Sequence, residues 1–396
     1  MQSSCSVRPN PVVDAVSATC TTSARGIKIH AASAAVIECA RADFHAQLAQ
    51  LDLLPYVMTR VGISAADHFV EFRASAAAVE VARGGCDTTG LCQRLGLDSI
   101  NVAADLSREI LLAMLLAPAG FQFCFPSYSE LASAVRVREY IVEAARKTTL
   151  AFDTMATERP ADCWQHIRGS GFTLRPGHSL ITALKKATQP EESGALYAFS
   201  CYRATEYVIL AGVAQELQRC NPELFERLQR LWQTRAIMSG EFHDVFLVES
   251  GSVAHPLPLK YYVPGDRVWF RNPDDRSSDI TGYEGSWVMY LGGGLFSNFW
   301  KRAKPYTLTA KCVEVYHWRD ATYYNADGEL QLDEARVEQL VDATMQDPAA
   351  VERILARMMR LREPSGVYVD GGCIDASREY PRRVCPGSCD LVLPTL

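Results

Sequence analysis

The chain has 396 residues, with 40 Lys and Arg against 46 Asp and Glu, a formal charge of −6. At about 150 residues per domain, that length suits two to three domains. Hydrophobic residues make up 48% and charged residues 22%, which excludes a disordered or fibrous chain. A mildly acidic chain lacks the basic footprint of non-specific nucleic-acid binding. The longest apolar run, eight residues from Ile110 to Ala117, ends at Pro118. A spanning helix needs about 20, so neither nucleic acid nor a membrane span is expected.

The cysteines number 13, an odd count, and no two have Cys-x-x-Cys spacing. That spacing would have marked a zinc ribbon or a redox motif. A chain this long does not need disulfide staples, so free thiols in a reducing compartment are expected. The alternative is a tail disulfide joining Cys385 to Cys389 or Cys373. No metal or organic cofactor is implied.

Residues 1–30 form a Ser/Thr/Ala-rich leader without the apolar stretch of a secretory signal. A flexible leader is the plain reading; a bacterial type III secretion signal or a transit peptide has the same composition. Residues 31–118 read as a helical extension. A first helix is expected from Ala31 to about Leu54, with Val36, Ile37, Ala40, Phe44, Leu48, Leu51 and Leu54 on one face. A second helix is expected from Ser64, an N-cap candidate, to Arg83, and a third over 102–117.

Residues 119–330 read as a core. Ser127 to Glu130 is a capping box opening a long helix toward Phe152. Short strands or irregular chain fill 153–176, and a helix covers 179–188. An apolar helix runs from Tyr202 to Leu217 and another from Asn221 to Arg235. The pattern then becomes short strands: 245–248, 267–271, 286–291, 295–300 and 306–318. Gly292-Gly293-Gly294 reads as a hairpin turn, not a phosphate loop, since no Lys-Ser/Thr follows. Residues 331–396 read as helices to about 363, then a Pro/Gly/Cys tail. Helices followed by antiparallel strands make the class α+β.

Cys201 is the candidate nucleophile. Ser200 before it is a good N-cap. A thiol on the first helical turn meets unpaired N–H groups and the positive end of the dipole, which lower its pKa. Arg203 adds charge nearby. A cysteine on the first turn of a buried helix, facing an antiparallel sheet that supplies a base, is the papain-like arrangement. The competing reading is a small buried hydrophobe.

Three blocks resemble the spore-type bacterial protein-glutamine gamma-glutamyltransferases, the Bacillus transglutaminase family, over residues 121–306. FPSYSELASAVRVREYIVEAARK at 125–147 is similar to the family's long first helix. GALYAFSCYRATEYVIL at 194–210 is similar to its nucleophile segment. PGDRVWFRNPDD at 264–275 with YEGSWVMYLGGG at 283–294 is similar to its strand pair. The resemblance implies a transglutaminase-like core. It implies that Cys201 attacks a protein glutamine, forms a thioester and passes the acyl group to an amine, lysine or polyamine, or to water in deamidation.

Three of the family's usual helpers are replaced. Ser200 stands where the family has Glu, Ser286 stands for a Glu in the strand, and Phe299-Trp300 stands for His-Gly. Glu284, two residues before Ser286, shares its strand face and is a candidate substitute base; its other reading is a solvated loop-end carboxylate. His317, in an expected strand, is a second candidate; His243 and His255 are weaker ones. Asp266 matches the family and is expected to bind turn backbone. Tyr261, Tyr262, Trp269, Phe270, Trp287, Tyr290 and Phe296 are either sheet core or walls around Cys201.

Two other function classes compete with the acyltransferase. One is a decayed transglutaminase-like binding or effector protein; the other is a papain-like amidase or peptidase. The leader and the fused N-terminal region suit a cytoplasmic protein, or a secreted bacterial effector acting in a reducing cytosol.

Overall fold

Residues 204–217 are apolar around most of the helical circumference, and the helix they form, Cys201–Cys220, is buried accordingly. The Ser200 hydroxyl caps it, accepting from the Arg203 N–H at 3.3 Å. The computed structural model describes residues 24–63, 68–84, 87–153, 158–363 and 371–395. Around this central helix pack Tyr128–Lys147, Leu180–Thr188 and Pro222–Thr234. The approach to Tyr128–Lys147 is tight at Gly212, where a Cβ would stand 2.5 Å from Ile141 Cγ1 and 2.9 Å from the Ile141 nitrogen. Gly212→Ala adds about 1 kcal/mol of helix propensity but overpacks at a cost of about 1–3 kcal/mol. A lower urea midpoint at unchanged slope is expected; a raised midpoint would contradict the packing.

The central helix lies against a six-stranded antiparallel sheet. Its strand order is Tyr306–Thr307, Leu295–Phe296, Gly285–Gly292, Arg267–Arg271, Arg378–Pro381, Leu247–Ser250. Register pairs Trp269 with Trp287 and Phe270 with Ser286. Met289 and Leu291 pack with the central helix, whereas Val268, Phe270, Val288 and Tyr290 pack with a second layer of helices. The expected turn is present: Gly292, Gly293 and Gly294 have φ of 83°, 63° and 77°, the left-handed region glycine favours. Helices followed by antiparallel strands confirm the α+β class.

Several expectations are corrected. The region expected to be all helical, 31–118, contains two strands of a four-stranded sheet, which is ordered Val57–Ile63, His68–Ala74, Arg25–Ala31, Phe121–Phe125. Helices Ala34–Gln50 and Ala103–Leu115 accompany it. The helix expected over 64–83 is a strand and a short helix, Ala76–Val81; Ser64, its expected cap, lies outside the described residues. The physical reason is period two: Val70 and Phe72 are buried and alternate with polar Glu71 and Arg73. Arg25–Ala31, expected within the leader, buries Ile27 and Ile29; residues 1–23 lie outside the described ones.

The strand expected over 306–318 stops at Thr307, and Leu308–His317 is a helix. Thr307 caps it, accepting from Ala310 N–H at 3.1 Å. Leu308, Cys312 and Val315 recur at helical spacing and are buried. The tail is also more ordered than expected, since Arg378–Pro381 is an inner strand of the six-stranded sheet.

The capping box at 127–130 is half formed. Ser127 accepts from Glu130 N–H at 3.1 Å. The Glu130 carboxylate turns instead to the tail, accepting from Val384 N–H at 3.1 Å and from the Ser388 hydroxyl. The ten cysteines among the described residues are free thiols. No helix among the described residues is long and apolar enough to cross a membrane.

Candidate active site

Cys201 opens the central helix, is half-buried, and lines a cavity of about 250 Å³. Phe152, Tyr283, Trp300, Tyr306 and Trp318 form apolar walls. Ser286 and Trp300, two positions where the resemblance shows substitutions, also line it. The helices Leu308–His317 and Glu334–Met345 close the far side through Lys311, Glu314, Val337 and Glu338.

Burial pushes the Cys201 thiol up from its ordinary pKa. The Trp287 N–H, the Lys311 charge, the Tyr202 N–H and the Arg267 charge favour the thiolate without prevailing. This corrects the expected depression: removing a thiolate from water costs more here than the helix terminus returns. Arg203 is held by Glu206. The stabilising charge from the sheet is Arg267, which is buried, stacks at 4.3 Å over Tyr202 and 4.1 Å over Trp287, and bonds Glu379 at 3.0 Å.

Seven acidic or basic residues in the cavity wall escaped the sequence reading, Lys311 and Glu314 among them. Lys311 is only 3% exposed, and its Nζ is 2.6 Å from Glu314 Oε2. It also sits 4.2 Å from the Tyr306 ring centre. Glu314 Oε1 accepts from the Tyr306 hydroxyl at 2.9 Å. Burial and the Glu314 carboxylate hold that phenol well above the ordinary tyrosine range. Tyr283 donates to Glu334 at 2.7 Å, and its phenol is likewise raised, by burial first. Reading 306–318 as a strand hid the pair. The signal that finds it is the Thr307 cap with the i, i+3 spacing of Lys311 and Glu314.

The two candidate bases from sequence lie elsewhere. Glu284 is exposed, accepts from Gly282 N–H at 3.0 Å, and does not line the cavity. Its neighbour Gly285 sits where a Cβ would be 2.3 Å from Trp269 Nε1 and 2.6 Å from the Phe270 carbonyl oxygen, so the strand hugs its partner there. His317 ends the 308–317 helix and does not line the cavity. Its Nδ1 is 3.0 Å from Asp320 and its Nε2 2.7 Å from Thr344, so both ring nitrogens are engaged. His243 is 3.0 Å from Glu379, and neither it nor His255 lines the cavity.

Asp266 has the expected turn role: it accepts from Val263 N–H at 2.8 Å and from Arg138 Nη1 at 2.8 Å. None of the seven clustered aromatics lines the cavity. Tyr262, Phe270, Tyr290 and Phe296 are core, and Trp269 stacks on Trp287 with centroids 5.7 Å apart.

The chain is 24% identical over 208 residues to the protein-glutamine gamma-glutamyltransferase of Halalkalibacterium halodurans; the match covers 50% of this chain and 66% of that relative. Among solved structures, a transglutaminase from Geobacillus stearothermophilus, without its C-terminal extension, aligns at a TM-score of 0.38 and 22% identity. That alignment covers 54% of this chain and 98% of the other. Residues 93–378 match the family TGL, protein-glutamine gamma-glutamyltransferase. The chain belongs to the protein-glutamine gamma-glutamyltransferase family.

Proposed function

We propose that the protein is a cysteine acyltransferase acting on protein glutamine through a thioester on Cys201. The observation that carries this reading is the position of Cys201, first on a capped, buried helix and open to a cavity with aromatic walls. Sγ attacks the glutamine carboxamide carbon, the C–N bond breaks, and ammonia leaves. A primary amine, lysine or polyamine, then attacks the thioester carbon and restores the thiol. Water in the amine's place yields glutamate. The apolar walls suit the methylenes of a glutamine side chain and exclude bulk water from the thioester. Free thiols fit action in a reducing cytosol, as a cytoplasmic protein or as a secreted bacterial effector.

No histidine lines the cavity among the described residues, which weighs against the papain-like amidase. The test is to incubate the protein with casein and a fluorescent primary amine, following ammonia release and label together. Equal release of ammonia and uptake of label is expected for transamidation. Ammonia with Gln-to-Glu conversion and no label would assign deamidation. Neither signal, on casein and on a panel of glutamine peptides, would favour the decayed binding protein.

A further inference from the structure

Cys201 shares its cavity with several charged groups, but most belong to the rim. Glu334 is exposed and tied to Tyr283, and Lys301 and Lys304 are exposed and pair with Glu338. Lys311 differs, because it is buried and its neighbours are a carboxylate and aromatic faces. A buried ammonium is costly unless it is paired. One carboxylate neutralises it, and an ammonium has three donors, of which Glu314 takes one. Both residues face the same cavity as the sulfur. Serine occupies positions 200 and 286 and can hold no proton charge there.

Resting on the acyltransferase reading and deepening it, we propose that Lys311 and Glu314 form the proton relay of the Cys201 site, with Glu314 as the proton store and Lys311 as the link to sulfur. The resting site holds a thiol, an ammonium and a carboxylate. Lys311 gives one N–H proton to Glu314 and takes the Sγ–H proton, leaving thiolate, ammonium and carboxylic acid. The thiolate forms the S–C bond. As the C–N bond breaks, the stored proton passes back through Lys311 to the departing nitrogen, which leaves as ammonia. The incoming amine loses one proton along the same path when it forms its C–N bond. The C–S bond then breaks, the proton returns to sulfur, and the resting site is restored. Tyr306, donating to the second Glu314 oxygen, orients the carboxylate.

The relay makes opposite demands on two variants, which loss of packing does not reproduce. Alkylation of Cys201 by iodoacetamide, followed against pH, reads thiol ionisation without needing turnover. Lys311→Met removes the stabilising cation, so the profile should move to higher pH. Glu314→Gln leaves that cation unopposed, so the profile should move to lower pH. Amine transfer should nonetheless fall about 10²–10⁴-fold in Glu314→Gln, the usual worth of general acid–base help. Lys311→Arg keeps the charge but cannot release a proton; it should keep the alkylation profile and still lose transfer by about that factor. Shifts of the same sign in Lys311→Met and Glu314→Gln, or transfer by folded Glu314→Gln within about threefold of wild type, would overturn the relay. A wild type inactive on every substrate would defeat the acyltransferase reading, and the alkylation profiles would still decide whether Lys311 governs the thiol.

Discussion

Cys201→Ser is expected to lower amine transfer by on the order of 10⁴-fold or more, the scale seen when a nucleophile is removed from a covalent mechanism. The hydroxyl is a far weaker acid than the thiol, and among the described residues no histidine lines the cavity to deprotonate it. The substitution removes little volume from a half-buried position, and Ser200 still caps the helix. The thermal midpoint should therefore change by no more than a few degrees. Paired measurement of initial rate and melting temperature checks this. A variant retaining a tenth of wild-type transfer would show that Cys201 is not the nucleophile.

The largest effect on stability is expected at the turn before the sheet. Arg138 and Asp266 are both buried and bonded at 2.8 Å. Arg138 Nη1 also donates to the Pro264 carbonyl at 3.0 Å, and Asp266 receives the Val263 N–H at 2.8 Å. The pair thus fixes the turn that launches Arg267–Arg271 and ties it to the helix Tyr128–Lys147. Removing one partner strands the other as a buried charge, at a cost of about 3–5 kcal/mol. Asp266→Ala and Arg138→Met should each lose about that much in urea unfolding. The double variant Arg138→Met/Asp266→Ala should lose clearly less than the sum, because no orphaned charge remains. Additive losses would show that the two residues act independently.

Much of the fold was legible because local patterns and tertiary packing agreed. The helix 128–147 announced itself through Ser127, and the central helix through Ser200 and a continuous apolar run. Strand Arg267–Arg271 and the three-glycine turn were readable from β-type residues and from glycine at positive φ. One physical source of the misreadings is short segments in which two periods coexist. Residues 68–74 satisfy alternation as well as a helical face, and 308–317 satisfy helical spacing while Val313 and Val315 alternate. Only the partners these segments pack against decide between the periods. Residues 25–31 and 378–381 form strands because distant strands pair with them, which short-range pattern does not reveal.

The site divides along the same line. The position of Cys201 was legible because it depends on a local feature, the start of a helix. Its pKa direction was not, since desolvation reflects everything that surrounds the sulfur. Glu284 and His317 were plausible by strand parity, but Glu284 turns to Gly282 and His317 is held between Asp320 and Thr344. Lys311 and Glu314 reach the cavity through a helix some hundred residues downstream of the cysteine.

The most direct measurement is intact-protein mass spectrometry after brief mixing with a short, N-blocked glutamine peptide in the absence of amine, quenched in acid. The expected result is an adduct heavier than the protein by the peptide mass less ammonia, located on Cys201 by digestion and discharged within the dead time when a primary amine is added. An adduct absent from wild type across glutamine peptides that it demonstrably binds, or one that persists in Cys201→Ala, would contradict thioester chemistry at this cysteine.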